Sequence, residues 1–138
     1  MDVKRFTGVY PAVITPFDET GEVDTKKLTA YTEYLCGKVD GLFVGGSYGS
    51  GPIMTVQQRK TVAETVMSVA KGSVPVILMI GCTDTNSTIE LAKHAQRVGA
   101  DAVAAVTPHF KDKKSHYVSE DEWTIFENTH EAIIDRCV

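Results

Sequence analysis

A lysine attacks a carbonyl only when its amine is neutral near pH 7, and that needs a desolvated position. The end of an apolar strand supplies one; a solvated helix face does not. Lys26, Lys27, Lys60, Lys71 and Lys93 fall on polar helix faces or helix ends, and Lys4, Lys38, Lys111, Lys113 and Lys114 fall in polar loops. None follows an apolar strand-like run, so no lysine is expected to form an imine. Cys36, Cys82 and Cys137 are widely spaced, odd in number and without a C-x-x-C pair. That spacing points to free thiols rather than a disulfide framework or a zinc site. His130 and Glu131 are adjacent, but two neighbours without further ligands make no metal site. The glycine-rich run Gly45-Gly46-Ser47-Tyr48-Gly49-Ser50-Gly51 is not G-x-G-x-x-G, and no Walker-type lysine follows it. Dinucleotide and P-loop chemistry are therefore not expected.

The balance of the chain narrows the class further. It has 138 residues, a formal net charge of -4 and a hydrophobic fraction of 43%. These values suit one globular domain or part of a larger one and give no basic footprint for nucleic acid or anionic membrane. No apolar run approaches the roughly 20 residues that span a bilayer. The start of the chain, Met1 to Gly8, has no apolar core of a secretory signal. The expected compartment is the cytoplasm.

The elements that must position any site follow a repeating rhythm. Apolar, β-branched runs at Val9–Thr15, Gly41–Val44, Val74–Ile80 and Ala102–Thr107 start about 30 residues apart, the length of one β/α unit. They are apolar at nearly every position, as strands covered on both faces of a parallel sheet are. Asp24 can cap a first helix with Leu28, Tyr31 and Leu35 at helical spacing and Gly37 at its end. Thr55 and Gln58 form a capping box for a second, with Val62, Val66 and Val69 as its apolar stripe and Gly72 after it. Ser87 and Glu90 suggest a box for a third, which Ile89, Ala92 and Ala95 continue to Gly99. The pattern predicts strands over 9–15, 41–45, 75–80 and 102–107 and helices over 25–37, 55–71 and 86–98. It fits a barrel arc or a doubly wound sheet equally well.

Three segments at strand ends break that tie. They are Gly8-Val9-Tyr10-Pro11-Ala12-Val13-Ile14-Thr15-Pro16-Phe17, Gly41-Leu42-Phe43-Val44-Gly45-Gly46-Ser47-Tyr48-Gly49, and Gly99-Ala100-Asp101-Ala102-Val103-Ala104-Ala105-Val106-Thr107-Pro108. In this order and spacing they resemble the dihydrodipicolinate synthase/N-acetylneuraminate lyase family, over roughly residues 7–110. The resemblance implies an α/β fold: the N-terminal half of a (β/α)8 TIM barrel, four parallel strands and three helices, plus a non-family C-terminal tail. It also implies a Schiff-base aldolase chemistry in which a lysine on the sixth strand condenses with pyruvate or another 2-oxo acid, with no cofactor. A loop after the second strand holds the carboxylate, and a tyrosine relays protons. Carried over by position, Ser47 matches the first carboxylate-binding hydroxyl. Tyr48 stands where the family usually has threonine, and Ser50 where it usually has glutamate. Thr15 matches the threonine that ends strand one. The tyrosine position is Phe110, which has no hydroxyl, and His109 beside it is a polar loop residue. No metal is implied.

Beyond the motifs, Lys111 to His116 reads as a polar linker, and Tyr117–Val138 resembles a segment of the middle domain of large serine recombinases through Trp123, Asn128, His130, Glu131, Ile133, Ile134 and Asp135. With seven acidic residues against four basic ones, 111–138 is not expected to bind DNA. The expected organisation is thus 1–110 as partial barrel and 111–138 as linker and unrelated tail. This gives a truncated aldolase, inactive by itself. A non-catalytic half-barrel module for binding or assembly, or a fusion of an aldolase fragment with a recombinase fragment, are the alternatives. Four strands of an open barrel leave two unpaired edges, so self-association is also expected.

Overall fold

The computed structural model describes residues 6–106. Within them lie β1 (Ala12–Val13), α1 (Thr25–Cys36), β2 (Leu42–Val44), α2 (Val56–Ala70), β3 (Val76–Met79), α3 (Thr85–Val98) and β4 (Ala102–Ala104), with a 3-10 turn at Gly51–Ile53. The strands are all parallel and ordered β1-β2-β3-β4. Consecutive parallel neighbours joined by helices form one arc of a barrel; a doubly wound order would place later strands on both sides of the first. The expected tail and the residues from Thr107 to Phe110 lie outside the described residues.

Register explains which faces are covered. Val13 pairs with Val44, Val44 with Leu78 and Leu78 with Val103, so these four form one row across the sheet. Val13, Val44 and Leu78 join Leu28 and Leu35 of α1, Val62 and Val66 of α2, and Leu91 and Ala95 of α3 in one core. The next row, Ala12, Phe43, Ile77 and Ala102, points to the other face, and all four are half-buried.

The helix ends obey local chemistry. The Asp24 carboxylate accepts from the Lys27 backbone N–H, and Thr55 and Gln58 close a reciprocal capping box. The third helix departs from expectation: Asp84, not Ser87, is its cap, and its carboxylate accepts from the Ser87 N–H at 2.8 Å. The helix therefore starts at Thr85. The strands are shorter than their apolar runs. Ahead of β1, the Val9 N–H is taken by the Asp40 carboxylate at 2.8 Å. Thr15 turns its hydroxyl to a loop rather than extending the strand.

Candidate functional site

The loop that leaves β2 is shaped by glycines that nothing larger can replace. A Cβ on Gly51 would sit 1.8 Å from the Gly45 carbonyl oxygen, and one on Gly49 would sit 2.7 Å from that of Val13. Backbone is thus pressed against backbone, with the loop lying over the end of β1. Thr15, itself buried, fastens the two: its hydroxyl donates to the Gly49 carbonyl at 2.7 Å. The Ser50 N–H donates to Ser47 and the Gly51 N–H to Gly46, which closes the turn. Ser50 takes a left-handed φ of 62° there, unusual for a residue with a side chain.

At the apex of this turn Ser47 and Tyr48 stand out from the protein, Tyr48 with 84% of its surface exposed. Among the described residues neither hydroxyl has a protein partner. The two hydroxyls are thus both presented to solvent, beyond the C-terminal end of β2. Thr15 is different: its hydroxyl is spent on the loop, so it positions Ser47 and Tyr48 from beneath.

The neighbouring end of β3 is held by a residue that sequence reasoning missed. Arg59 of α2 is buried, and its guanidinium donates to the carbonyls of Met79 and Gly81 and to the Cys82 sulfur at 3.0 Å. Burial pushes its pKa down, while Cys82 beside it acts in the opposite sense. The signal was present: Arg59 lies three residues before Val62 and so on the same face as Val62, Ala63 and Val66. A cleft of about 220 Å³ opens beyond the ends of β3 and β4, lined by Gly81, Cys82, Thr83, Asp84 and Val106 among others.

No described lysine occupies the end of a strand. Lys27 is exposed and paired with Asp24 at 2.9 Å, a contact that raises its pKa and keeps it protonated. Lys60 is paired with Glu90 between α2 and α3, and Lys38 lies over the Tyr34 ring. Lys26, Lys71 and Lys93 are exposed on or beside helices. His109 and Phe110 lie outside the described residues. Among the described residues no group of three or more His, Cys, Asp and Glu side chains is placed to hold a metal ion, and no helix is long and apolar enough to cross a membrane.

Parallel β/α units in simple order, with a hydroxyl-bearing glycine loop at the C-terminal ends of the strands, are the setting in which comparison with known proteins decides the family. The model of the dihydrodipicolinate synthetase family matches residues 5–134. The chain belongs to that family. The match runs past residue 110, where the strand-end motifs stop. The chain is 42% identical over 106 residues to a 4-hydroxy-tetrahydrodipicolinate synthase of Agrobacterium fabrum, covering 76% of this chain and 36% of the relative. It is 36% identical over 109 residues to a probable 2-dehydro-3-deoxy-D-pentonate aldolase of Escherichia coli, covering 78% and 36%. Among solved structures, the sialic acid aldolase of Ruminococcus gnavus superposes with a TM-score of 0.74 at 38% identity, over 75% of this chain and 35% of the other. A prophage protein of the same family from Escherichia coli, solved in complex with pyruvate, gives a TM-score of 0.73 at 35% identity, over 84% and 38%. The chain therefore spans about a third of the length of the relatives it matches. These neighbours support both the partial TIM barrel and the lyase character of the family.

Proposed function

We propose that this chain carries the carboxylate-holding part of a Schiff-base aldolase site for pyruvate or another 2-oxo acid, and that the 138-residue chain does not form the imine itself. The observation that carries the reading is the turn after β2, which offers the Ser47 and Tyr48 hydroxyls at the C-terminal mouth of the sheet, fastened from below by Thr15. Hydroxyls and backbone N–H groups in such a turn suit an anion. The reaction uses the imine nitrogen as an electron sink, so a carbon–carbon bond beside it breaks or forms without a cofactor. The lysine that would supply that nitrogen has no counterpart among the described residues. Phe110, at the position of the proton-relaying tyrosine, has no proton to give. Tyr48 in place of threonine presents its hydroxyl on a longer, rigid arm, which favours a substrate set differently from that of relatives with threonine.

Pyruvate titration followed by backbone amide NMR tests the reading. Shifts are expected at Gly46–Gly51 and are expected to weaken in Ser47→Ala. Shifts spread evenly over the chain, or none, would sink it. A second reading, a binding or assembly module, draws support from the outer strands: Val103 on β4 is half exposed, and among the described residues β1 and β4 pair on one side only. It predicts self-association without any pyruvate response, which sedimentation and the same titration separate from the first.

A further inference from the structure

Arg59 has a task left over once its contacts with β3 are counted. Only 7% of its surface is exposed, and both terminal nitrogens are engaged, Nη1 with the Gly81 carbonyl and the Cys82 sulfur, Nη2 with the Met79 carbonyl. Its Nε–H is buried and, among the described residues, has no protein acceptor. Buried N–H groups are nearly always satisfied, and one on a charged group is especially costly to leave unpaired. The same side chain lines a small cavity between the sheet and helices α2 and α3, walled by Val44, Gly45, Leu78, Leu91 and His94 among others. Its volume is about 20 Å³. One water needs about 10–15 Å³ measured in this way, and any organic ligand needs far more.

We infer that this cavity is a binding site for one structural water, which accepts a hydrogen bond from Arg59 Nε. A buried water makes about three hydrogen bonds, so it needs further polar neighbours. Gly45 and His94 line the cavity, and the backbone of one and the ring of the other carry polar atoms such a water would use. The Nε2 atom of that ring is already engaged with Glu64 Oε1 at 2.8 Å, which fixes the ring's orientation. A halide is the rival occupant, because among the described residues no carboxylate pairs with the buried guanidinium. A halide would want several converging donors, whereas the walls here are mainly apolar and Arg59 Nε is the one unpartnered side-chain donor found there. The water would extend the Arg59 clasp from the end of β3 to Gly45, where the Ser47 loop begins. It would thus help to set that loop at a distance from the turn itself.

The test is a crystal structure of the full chain at a resolution that shows ordered water, with a second crystal soaked in bromide. The expected result is a solvent peak about 2.7–3.2 Å from Arg59 Nε, with no anomalous signal there from bromide. In solution, the Arg59 Nε–H should show a cross-relaxation peak to a long-lived water. An empty cavity, an Nε–H donating to a protein acceptor, or bromide at that position would each overturn the inference.

Discussion

Leu78 and Val103 are neighbours in one row across the sheet, paired strand to strand, yet Leu78 is 4% exposed and Val103 is 50% exposed. Their own strands do not explain the difference, since both stand on the same face. The difference lies in the helix layer. Leu78 lies in the core that α1, α2 and α3 cover, whereas the described residues stop two positions after β4 and no described helix follows it. In a β/α repeat, a strand residue is buried by the helices that come after and beside it. Among the described residues β1–β3 thus share a two-layer core with α1–α3, and β4 presents the same kind of apolar residue with less of that helix layer over it.

The largest expected effect breaks this comparison directly. Leu78→Ala should cost about 2–5 kcal/mol, the usual range for deleting a well-packed core leucine. Val103→Ala should change stability by no more than about 0.5 kcal/mol, as an exposed substitution does. Urea unfolding of both variants measures the contrast. Similar losses at the two positions would show that residues from 107–138 cover β4. Thr15→Val comes next. It keeps the shape but strips the Gly49 carbonyl of its 2.7 Å partner, and leaving a buried acceptor unpaired costs about 1–3 kcal/mol. The same change should disturb the amide signals of Ser47 and Tyr48 more than those at the end of β3.

The smallest effect concerns acid. The Asp84 carboxyl is held below its ordinary pKa of 3.8, chiefly by the Ser87 backbone N–H, and that of Asp24 chiefly by the Lys27 N–H. A carboxyl whose folded value is depressed adds stability that is complete above the unfolded value and lost as pH falls through the folded one. Asp84→Asn keeps a competent cap but removes the titration. Its unfolding midpoint should therefore fall less steeply than that of the parent as pH drops below the ordinary carboxylate range. Parallel slopes would mean that the Asp84 cap adds nothing to acid sensitivity.

The parts of the fold that were legible in the sequence are those in which a residue meets its partner within a few positions. Asp24 with Lys27, and Thr55 with Gln58, are such cases. The order of elements was legible too, because four apolar runs at even spacing leave few alternatives. Ser87 was read as a cap because it begins an S-x-x-E pattern, but Asp84 accepts from its N–H and starts the helix earlier. Tyr31 does pack, partly buried, against the core from α1, but the fully buried residue beside it is Thr32, which the sequence did not flag; the Thr32 hydroxyl donates to the Leu28 carbonyl and so loses its need for water. On α2 the buried face is wider than a valine stripe and includes Ala63, Met67 and Ala70, because α1 and α3 pack on either side. Strand ends were not legible, since they depend on partners 25 to 35 positions away, as in Thr15 with Gly49 and Val76 with Asp101. Arg59 was hidden by its charge: its partners are two backbone carbonyls and the Cys82 sulfur, and sequence does not show where those point. The hydroxyls of Ser47 and Tyr48 were singled out through motif likeness; both residues lie exposed at the turn, and their role toward a carboxylate is a proposal.

The central proposal is a division of labour: the turn after β2 would cradle the substrate carboxylate, and among the described residues no amine is placed to attack the carbonyl. Intact-mass measurement after incubation with pyruvate and borohydride tests it most directly, because reduction turns any imine into a permanent adduct. The account predicts an unchanged mass for the 138-residue chain, and Phe110→Tyr should leave that result as it is. A gain of one reduced pyruvate, mapped to any lysine, would contradict it.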